Sequence, residues 1–376
     1  MKKILSLYIF CIFLLLTACR STPPASSDAK ATADEPIVQE PTEPETDKLE
    51  EMVAKMTTEE KVGQLFFARC PDEKAVQTAV QYHLGGYILF GRDFENSTPD
   101  EVKSTIRNYQ EASDIPMLIG VDEEGGTVVR VSCYYRDEPF PSPRDCYADG
   151  GWKEVESAES EKADLLLSLG INVNLSPVCD VTGDSAAFMY ERSFSGNPDE
   201  VSQFADKTIH IYREKKLGSV LKHFPGYGDN GDTHTDMVTD ERSYATFLDN
   251  DFKPFATGIS AGADCVLVSH SIVKCMDTEF PASLSEKVHT ILREDLRFNG
   301  VVMTDDLVMD AIQEYTGSDA AAVFAVKAGN DMICCSDLET QYPAVLQAVE
   351  QQKIPMEQID QSVIRILKWK QRLGLL

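Results

Sequence analysis

Eight short apolar segments recur along the chain, and most of them are followed by a segment with helical periodicity. They are rich in Val, Ile, Leu and Phe and nearly continuous, which is typical of parallel strands buried on both faces. The segments are residues 63–68, 86–90, 117–121, 173–178, 219–224, 265–268, 301–304 and 332–335. Eight such alternations in one domain-sized stretch predict an α/β fold, a single (β/α)8 barrel of the TIM type.

The stretches between these segments carry the start and stop signals of helices. The predicted helices are residues 99–112, 152–169, 199–216, 283–296, 318–328, 339–352 and 356–372, the last of which would close the ring. A doubly wound open sheet is the alternative. No G-x-G-x-x-G follows the first predicted strand, which disfavours the dinucleotide-binding version of such a sheet.

The beginning of the chain has the pattern of an export signal. An apolar run at residues 4–16 is too short to span a bilayer but has the length of a signal-peptide core. The run leads into Leu-Thr-Ala-Cys at residues 16–19, which resembles the bacterial lipobox. We expect residues 1–18 to be removed and a lipid on Cys19 to anchor the protein to the cell membrane, outside the cytoplasm. An ordinary signal peptide with an incidental cysteine is the alternative.

Composition divides the mature chain into a tether and a folded part. Residues 19–47 are acidic and rich in Pro, Ala, Ser and Thr, which predicts a flexible linker, and residues 48–376 form the predicted barrel domain. The net charge of −27 disfavours nucleic acid as a partner. The remaining cysteines show no C-x-x-C spacing, so we expect no structural metal, and their pairing stays open.

Polar residues collect directly after the predicted strands, where the active sites of such barrels lie. These clusters are residues 122–130, 179–181, 222–234, 269–271 and 305–307. The clustering follows from the barrel assignment and predicts one site built from several loops.

Five motifs occur in a fixed order along the folded part. They are D-E-E-G-G-x-V-x-R at 122–130, G-I-N-V-N-L-S-P-V at 170–178, E-R-S-F at 191–194, K-H-F-P-G-x-G at 222–228 and T-D-D-L at 304–307. In these motifs the chain resembles family 3 glycoside hydrolases, in particular the β-N-acetylglucosaminidases that recycle or trim peptidoglycan. It departs from the family where Glu123 replaces a frequent Gln and Tyr227 a frequent His, and Tyr227 bears on substrate fit.

The resemblance implies that Asp305 is the nucleophile of a retaining glycosidase. An Asp on the rigid end of a strand can be held within attacking distance of the anomeric carbon. Asp306 is the rival, and because consecutive strand residues point in opposite directions we expect only one of the two to face the barrel axis. The structural alternative is that both acids cap the following helix.

The resemblance also implies an unusual acid/base pair, His234 with Asp232, in place of a second carboxylate. Histidine suits proton transfer near neutral pH, and the aspartate would fix its tautomer and stabilise the imidazolium. The glycine-rich stretch before it suggests a mobile loop that assembles over bound substrate. An exposed loop histidine with an incidental acid nearby is the alternative.

A substrate-holding set is the third implication of the resemblance. Its members are Asp122, Arg130, Arg192, Lys222 and His223. Charged groups at a barrel mouth can hydrogen-bond several sugar hydroxyls and an acetamide carbonyl. The alternative is a buried ion-pair network that only supports the loops. Glu124 is expected to be structural, whereas Asp180 and His270 receive no role.

The resulting hypothesis is a retaining exo-β-N-acetylglucosaminidase that removes terminal β-linked N-acetylglucosamine from peptidoglycan fragments or related glycans. It needs no cofactor or metal, and we expect a monomer. The enzyme alternatives are a β-glucosidase or xylosidase and an N-acetylglucosamine phosphorylase of the same family. The non-enzyme alternative is a lipid-anchored sugar-binding protein, against which the presence of both Asp305 and the His234 pair argues.

Overall fold

A computed structural model describes residues 43–231, 238–307, 312, 315–316 and 321–376, with side chains from Lys48 onward. The part from Glu43 to Leu376 forms one compact unit. Its strands are β1 (Phe66–Arg69), β2 (Gly86–Leu89), β3 (Leu118–Val121), β4 (Val173–Asn174), β5 (Gly218–Phe224), β6 (Thr239–Asp240), β7 (Cys265–Val268), β8 (Ile272–Val273), β9 (Val301–Thr304) and β10 (Ile333–Cys335).

Eight of these strands form one sheet in the order β10-β1-β2-β3-β4-β5-β7-β9, and every pairing in it is parallel. A parallel bridge between Met303 and Met332 joins the two outer strands, so the sheet is nearly closed into a barrel. The prediction of a (β/α)8 barrel is confirmed, and the open-sheet alternative is wrong.

The helices surround this sheet. They are α1 (Glu43–Lys55), α2 (Thr58–Gln64), α3 (Ala75–Tyr82), α4 (Pro99–Ala112), α5 (Ser132–Tyr135), α6 (Pro143–Leu169), α7 (Pro198–Lys215), α8 (Tyr244–Thr246), α9 (Phe252–Ser260), α10 (Glu286–Thr290), α11 (Ala321–Ala328), α12 (Leu338–Glu350) and α13 (Met356–Arg372). A π-helical turn at Phe247–Asp251 connects α8 to α9. Helix α1 begins at Glu43, whereas the predicted barrel domain starts at residue 48.

Two strand boundaries differ from the prediction by more than one residue. The first apolar segment was predicted to begin at residue 63, but Thr57 and Glu60 form a capping box and helix α2 runs through Gln64. Strand β4 is shorter than predicted and ends at Asn174, whose carbonyl oxygen accepts a local hydrogen bond from the backbone N–H of Ser176 at 2.8 Å. Both differences arise at element ends, where local hydrophobicity does not specify the backbone.

Helix α13 lies against the N-terminal end of the barrel. Its Ile366, Trp369 and Leu373 are buried in the same cluster as the strand residues Val220 and Val301. The ring nitrogen of Trp369 lies 3.0 Å from where a side chain at Gly218 would begin, so only glycine leaves room there. One end of the barrel is therefore filled by apolar packing, which leaves the opposite end for a site.

Two further observations on the described residues concern the pairing of the cysteines and membrane-spanning helices. The eight cysteines from Cys70 to Cys335 are free thiols. Among the described helices, none is long and apolar enough to cross a membrane. Residues 1–18, Cys19 and the linker up to residue 42 lie outside the described residues.

Candidate active site

A cavity of about 610 Å³ opens at the carboxyl ends of the barrel strands. Its lining includes six charged or polar residues at the ends of, or after, the three strands β3, β5 and β9: Asp122, Arg130, Lys222, His223, Asp305 and Asp306. Its apolar wall includes Ile88, Phe90, Leu175 and Leu267. The predicted site residues in the described part therefore converge on one cavity, at the end of the barrel opposite α13.

Strand β5 is irregular where it enters the cavity. Its pairing with β7 shifts register between Leu221 and Phe224, and the Lys222–His223 peptide bond is cis. Both Lys222 and His223 line the cavity, although consecutive residues of a regular strand point to opposite faces. Local strand geometry thus places two neighbouring polar side chains in one site.

A buried cluster of alternating charges forms one wall of the cavity. The Nζ atom of Lys222 lies 2.5 Å from Asp122 Oδ1 and 2.6 Å from Glu124 Oε1. Arg192 donates from Nε to Glu124 Oε2 at 2.9 Å and from Nη2 to Glu124 Oε1 at 2.7 Å. This bidentate geometry is the strongest that an arginine–carboxylate pair can form. Glu124, expected to be structural, binds both cations of the cluster.

The cluster keeps Glu124 and Lys222 ionised. Burial would raise the pKa of Glu124, but the adjacent Lys222 and Arg192 outweigh it and lower that pKa well below its ordinary value. Burial would likewise lower the pKa of Lys222, yet Asp122 and Glu124 raise it above its ordinary value. A permanently charged ammonium is therefore held at the cavity wall, with Asp122 partly exposed beside it.

The tautomer of His223 follows from its two partners. Nδ1 lies 2.8 Å from the buried carboxylate of Asp180, and Nε2 lies 3.1 Å from Arg192 Nη2. Because a guanidinium can only donate, neutral His223 must accept at Nε2 and donate from Nδ1 to Asp180. The same carboxylate accepts the backbone N–H groups of His223 at 3.1 Å and Tyr227 at 2.7 Å.

Asp180 was left without a role in the sequence prediction, and the structure makes it the residue that orients His223. Tyr227 packs its ring edge against His223, with ring centroids 5.3 Å apart, and is buried. Tyr227 therefore lies behind His223, and Asp180 joins the backbones of both residues. No sequence signal beyond a lone acid after a strand marked this role.

Glu123 is fully buried and binds the loop that follows β3. Its carboxylate accepts the backbone N–H groups of Arg130 at 2.8 Å, Val131 at 2.7 Å and Ser132 at 3.3 Å, and also the Ser132 hydroxyl. These bonds fix the start of helix α5 and hold Arg130 at the cavity wall. Replacement of a frequent Gln by Glu thus supplies an acceptor-only group to a site made of donors.

Asp305 and Asp306 both line the cavity, and the expectation that only one of the two faces the barrel axis stays a prediction. They follow the last residue of β9, Thr304, where strand alternation no longer applies. Asp306 accepts hydrogen bonds from the backbone N–H of Ser336 at 3.1 Å and from its hydroxyl. Asp305 Oδ1 accepts the backbone N–H of Asp306 at 2.9 Å.

His270, also left without a role, lies beneath these acids. Its Nε2 is 3.0 Å from the carbonyl oxygen of Asp306 and its Nδ1 is 2.7 Å from Ser283 Oγ. His270 is buried, and its hydrogen bond to the Asp306 carbonyl oxygen supports the backbone there. The predicted pair Asp232 and His234 lies outside the described residues.

The described residues contain no cluster of His, Cys, Asp and Glu that could hold a metal ion. The cavity wall adds residues that no motif marked, among them Arg69, whose guanidinium lies 4.7 Å from the Phe90 ring centroid. An isolated arginine at a strand end carries no sequence signal that separates it from ordinary surface arginines.

Comparison with known proteins identifies the family of this chain. Residues 57–369 match the glycosyl hydrolase family 3 N-terminal domain. The β-hexosaminidase LpqI of Mycobacterium tuberculosis is 29% identical over 371 residues, covering 95% of this chain and 94% of that protein. A β-hexosaminidase of Idiomarina loihiensis is 32% identical over 267 residues, covering 68% of this chain and 77% of that protein.

Solved structures agree with the sequence match. A family 3 β-N-acetylglucosaminidase from Paenibacillus sp. str. FPU-7 superposes with a TM-score of 0.79 at 31% identity, over 85% of this chain but only 63% of that longer chain. M. tuberculosis LpqI superposes with a TM-score of 0.77 at 28% identity, over 86% of this chain and 96% of that chain. The β-glucoside phosphorylase BglX, at 20% identity and a TM-score of 0.79, shows a common fold alone. The chain therefore belongs to glycoside hydrolase family 3, and it is a glycoside hydrolase.

Proposed function

We propose that the protein is a retaining exo-β-N-acetylglucosaminidase that hydrolyses terminal β-linked N-acetylglucosamine from peptidoglycan fragments or related glycans. The observation that carries the proposal is the convergence of Asp305 with the charged wall of Asp122, Lys222 and His223 in one cavity. The relatives described above support the sugar specificity, because they are β-hexosaminidases and one is a β-N-acetylglucosaminidase.

In the first half of the reaction, a carboxylate oxygen of Asp305 attacks the anomeric carbon and the bond to the leaving oxygen breaks. Protonated His234 gives its proton to that oxygen, and Asp232 stabilises the imidazolium. In the second half, neutral His234 takes a proton from water, whose oxygen attacks the anomeric carbon and releases Asp305. Two inversions give net retention.

The charged wall would hold the sugar while these steps occur. Lys222 keeps its charge through Asp122 and Glu124, so it can donate a charge-assisted hydrogen bond to a hydroxyl. Asp122 accepts from hydroxyls and Arg130 faces the same cavity. Arg192 and His223 already bind each other, so their donors and acceptors are oriented before substrate arrives.

The test is hydrolysis of p-nitrophenyl β-N-acetylglucosaminide beside the β-glucoside, with and without phosphate, using the chain from residue 20 onward. We expect preference for the N-acetyl substrate with no effect of phosphate. Phosphate stimulation with a sugar phosphate product would instead indicate a phosphorylase, and preference for the glucoside a β-glucosidase. No turnover of either substrate would contradict the proposal.

The nucleophile is tested in the same assay. Asp305→Ala should lower kcat at least about 10⁴-fold, because it removes the carboxylate that forms the covalent intermediate. Asp114→Ala is the matched control, since Asp114 is exposed and precedes β3 at the opposite end of the barrel. Undiminished activity of Asp305→Ala would contradict the mechanism.

We also propose that residues 1–18 are an export signal and that a lipid on Cys19 anchors the enzyme to the cell membrane, outside the cytoplasm. The support is the Leu-Thr-Ala-Cys sequence after a short apolar run. Radiolabelled palmitate fed to expressing bacteria should label the parent chain and not Cys19→Ala. Equal labelling of both would contradict the anchor.

A further inference from the structure

One arginine, Arg242, contacts both described ends of the connection between β5 and β6. Arg242 donates from Nη2 to the carbonyl oxygen of Gly226 at 2.9 Å, at the beginning of the connection. It donates from Nε to Asp240 Oδ2 at 2.8 Å, where the connection ends in β6. The Arg242 side chain therefore joins the backbone at the start of the connection to the Asp240 carboxylate at its end.

The same arginine is fixed to the body of the barrel. Its Nη1 lies 3.0 Å from both oxygens of Asp251, in the π-helical turn between α8 and α9, and its guanidinium lies 4.3 Å above the Phe247 ring. Burial lowers the pKa of Arg242, but Asp240 and Asp251 outweigh it and raise that pKa, so the charge is permanent. Gly226 packs directly on Asp251, since a side chain there would begin 2.3 Å from Asp251 Oδ1.

Further hydrogen bonds hold the first part of the connection. Asn230 Nδ2 donates to the carbonyl oxygen of Tyr227 at 2.9 Å and to Asp240 Oδ2 at 2.7 Å. Thr182 Oγ1 donates to Asp229 Oδ1 at 2.5 Å. Asp240 therefore receives both Asn230 and Arg242, so that the two ends of the connection meet on one buried carboxylate.

We infer that Arg242 is a positioning residue for proton transfer, because it joins the two described ends of the connection whose sequence carries the proposed acid/base residues. The inference rests on the proposed function, in which His234 and Asp232 lie on this connection. Arg242 itself lies outside the set of described residues that line the cavity. It acts through the backbone carbonyl of Gly226 and the carboxylate of Asp240, two residues that flank the proposed pair in sequence.

A leaving-group comparison distinguishes positioning from a purely structural role. A sugar leaving group needs a proton from the enzyme, whereas 2,4-dinitrophenolate leaves without one. In Arg242→Lys, we expect kcat/KM to fall about 100-fold for N,N′-diacetylchitobiose and less than about 3-fold for the 2,4-dinitrophenyl glycoside. This selectivity arises because kcat/KM includes only the steps up to departure of the leaving group.

Arg293→Lys is the matched control. Arg293 pairs with Asp331, donates to the carbonyl oxygens of Phe298 and Gly300, and lies 5.6 Å from the Phe298 ring centroid. Its side chain is 20% exposed, against 25% for Arg242. It precedes β9 rather than following a strand, so its loss should affect unfolding without any leaving-group selectivity.

The outcomes separate this inference from the proposed function. Selectivity in both His234→Ala and Arg242→Lys supports the inference, whereas selectivity in His234→Ala alone overturns it. Absence of selectivity in His234→Ala overturns the proposed acid/base role first and the inference with it. Should Arg242→Lys not fold, Asn230→Ala applies the same test from the other end of the connection, and unchanged selectivity there overturns the inference.

Discussion

Two lysines are fully buried at opposite ends of this barrel, and their surroundings differ. Lys222, at the end that holds the cavity, lies within 2.6 Å of two carboxylates, and its pKa is raised above the ordinary value. Lys370, on α13 at the other end, donates to the neutral amide of Gln64 at 2.7 Å. Burial lowers the pKa of Lys370 to about 7.

The difference between the two lysines lies in the groups that offset the cost of burying their charge. At the cavity, several charged side chains are desolvated together, and each is compensated by a partner of opposite sign. At the closed end, the hydrogen bond from Lys370 to Gln64 does not offset the cost of burying the charge, so the folded state favours the neutral amine. The two lysines therefore differ in whether a carboxylate offsets the buried charge, and Lys→Met substitutions, which keep most of the side-chain length, measure the difference.

The largest effect is expected for Lys222→Met. It should lower kcat/KM at least about 100-fold, since a charged donor to the substrate is lost. It should also lower the free energy of unfolding by about 3 kcal/mol, since Asp122 and Glu124 lose a buried counter-ion. Enzyme kinetics and urea denaturation measure the two effects. A loss of unfolding free energy below about 1 kcal/mol would mean that water satisfies both carboxylates.

Lys370→Met should have the opposite sign. The folded chain loses the Lys370 proton near pH 7, whereas the unfolded chain keeps it to about pH 10.4. The penalty of burying the charge is therefore full below pH 7 and disappears as the pH rises toward 10. We expect the variant to be more stable by about 2 kcal/mol at pH 6, with the difference shrinking between pH 7 and 10. Urea denaturation at several pH values measures it, and a pH-independent difference would contradict it.

The smallest effect is expected for Lys274→Met. Its Nζ lies 2.6 Å from Glu241, as close as Lys222 lies to Glu124, but the Lys274 and Glu241 side chains are 51% and 74% exposed. Water screens such a pair, so the free energy of unfolding should change by less than about 0.5 kcal/mol. A change as large as that of Lys222→Met would show that distance, and not burial, sets the strength of these pairs.

Much of the fold could be predicted because it is encoded locally. All eight barrel strands lie at the predicted apolar segments, since a strand buried on both faces must be apolar along its length. The final helix was predicted with the bounds it has, residues 356–372. The larger errors are at helix α6, which begins at Pro143 and not at residue 152, at residues 63 and 64, which belong to helix α2, and at strand β4, which ends at Asn174. The helices α3 and α9 were not among the predicted helices.

The site was predicted less completely. The motifs marked several of the charged residues that line the cavity, but they did not distinguish side chains that face it from side chains that hold others. Asp180 reaches His223 across 43 sequence positions, and Glu124 reaches Arg192 across 68. Such pairings depend on which loops the barrel brings together, and no spacing within one motif reports them.

By itself, the sequence determined the alternation of strands and helices and the order of the motifs, because each is a property of neighbouring residues. The family resemblance of those motifs implied Asp305 as the candidate nucleophile. Only the tertiary structure decided the tautomer of His223, the ionisation of Glu124 and the contrast between Lys222 and Lys370. The physical reason is that a proton's free energy depends on burial and on nearby charges. In a closed barrel, those charges come from distant parts of the chain, as Asp122 reaches Lys222 across 100 positions.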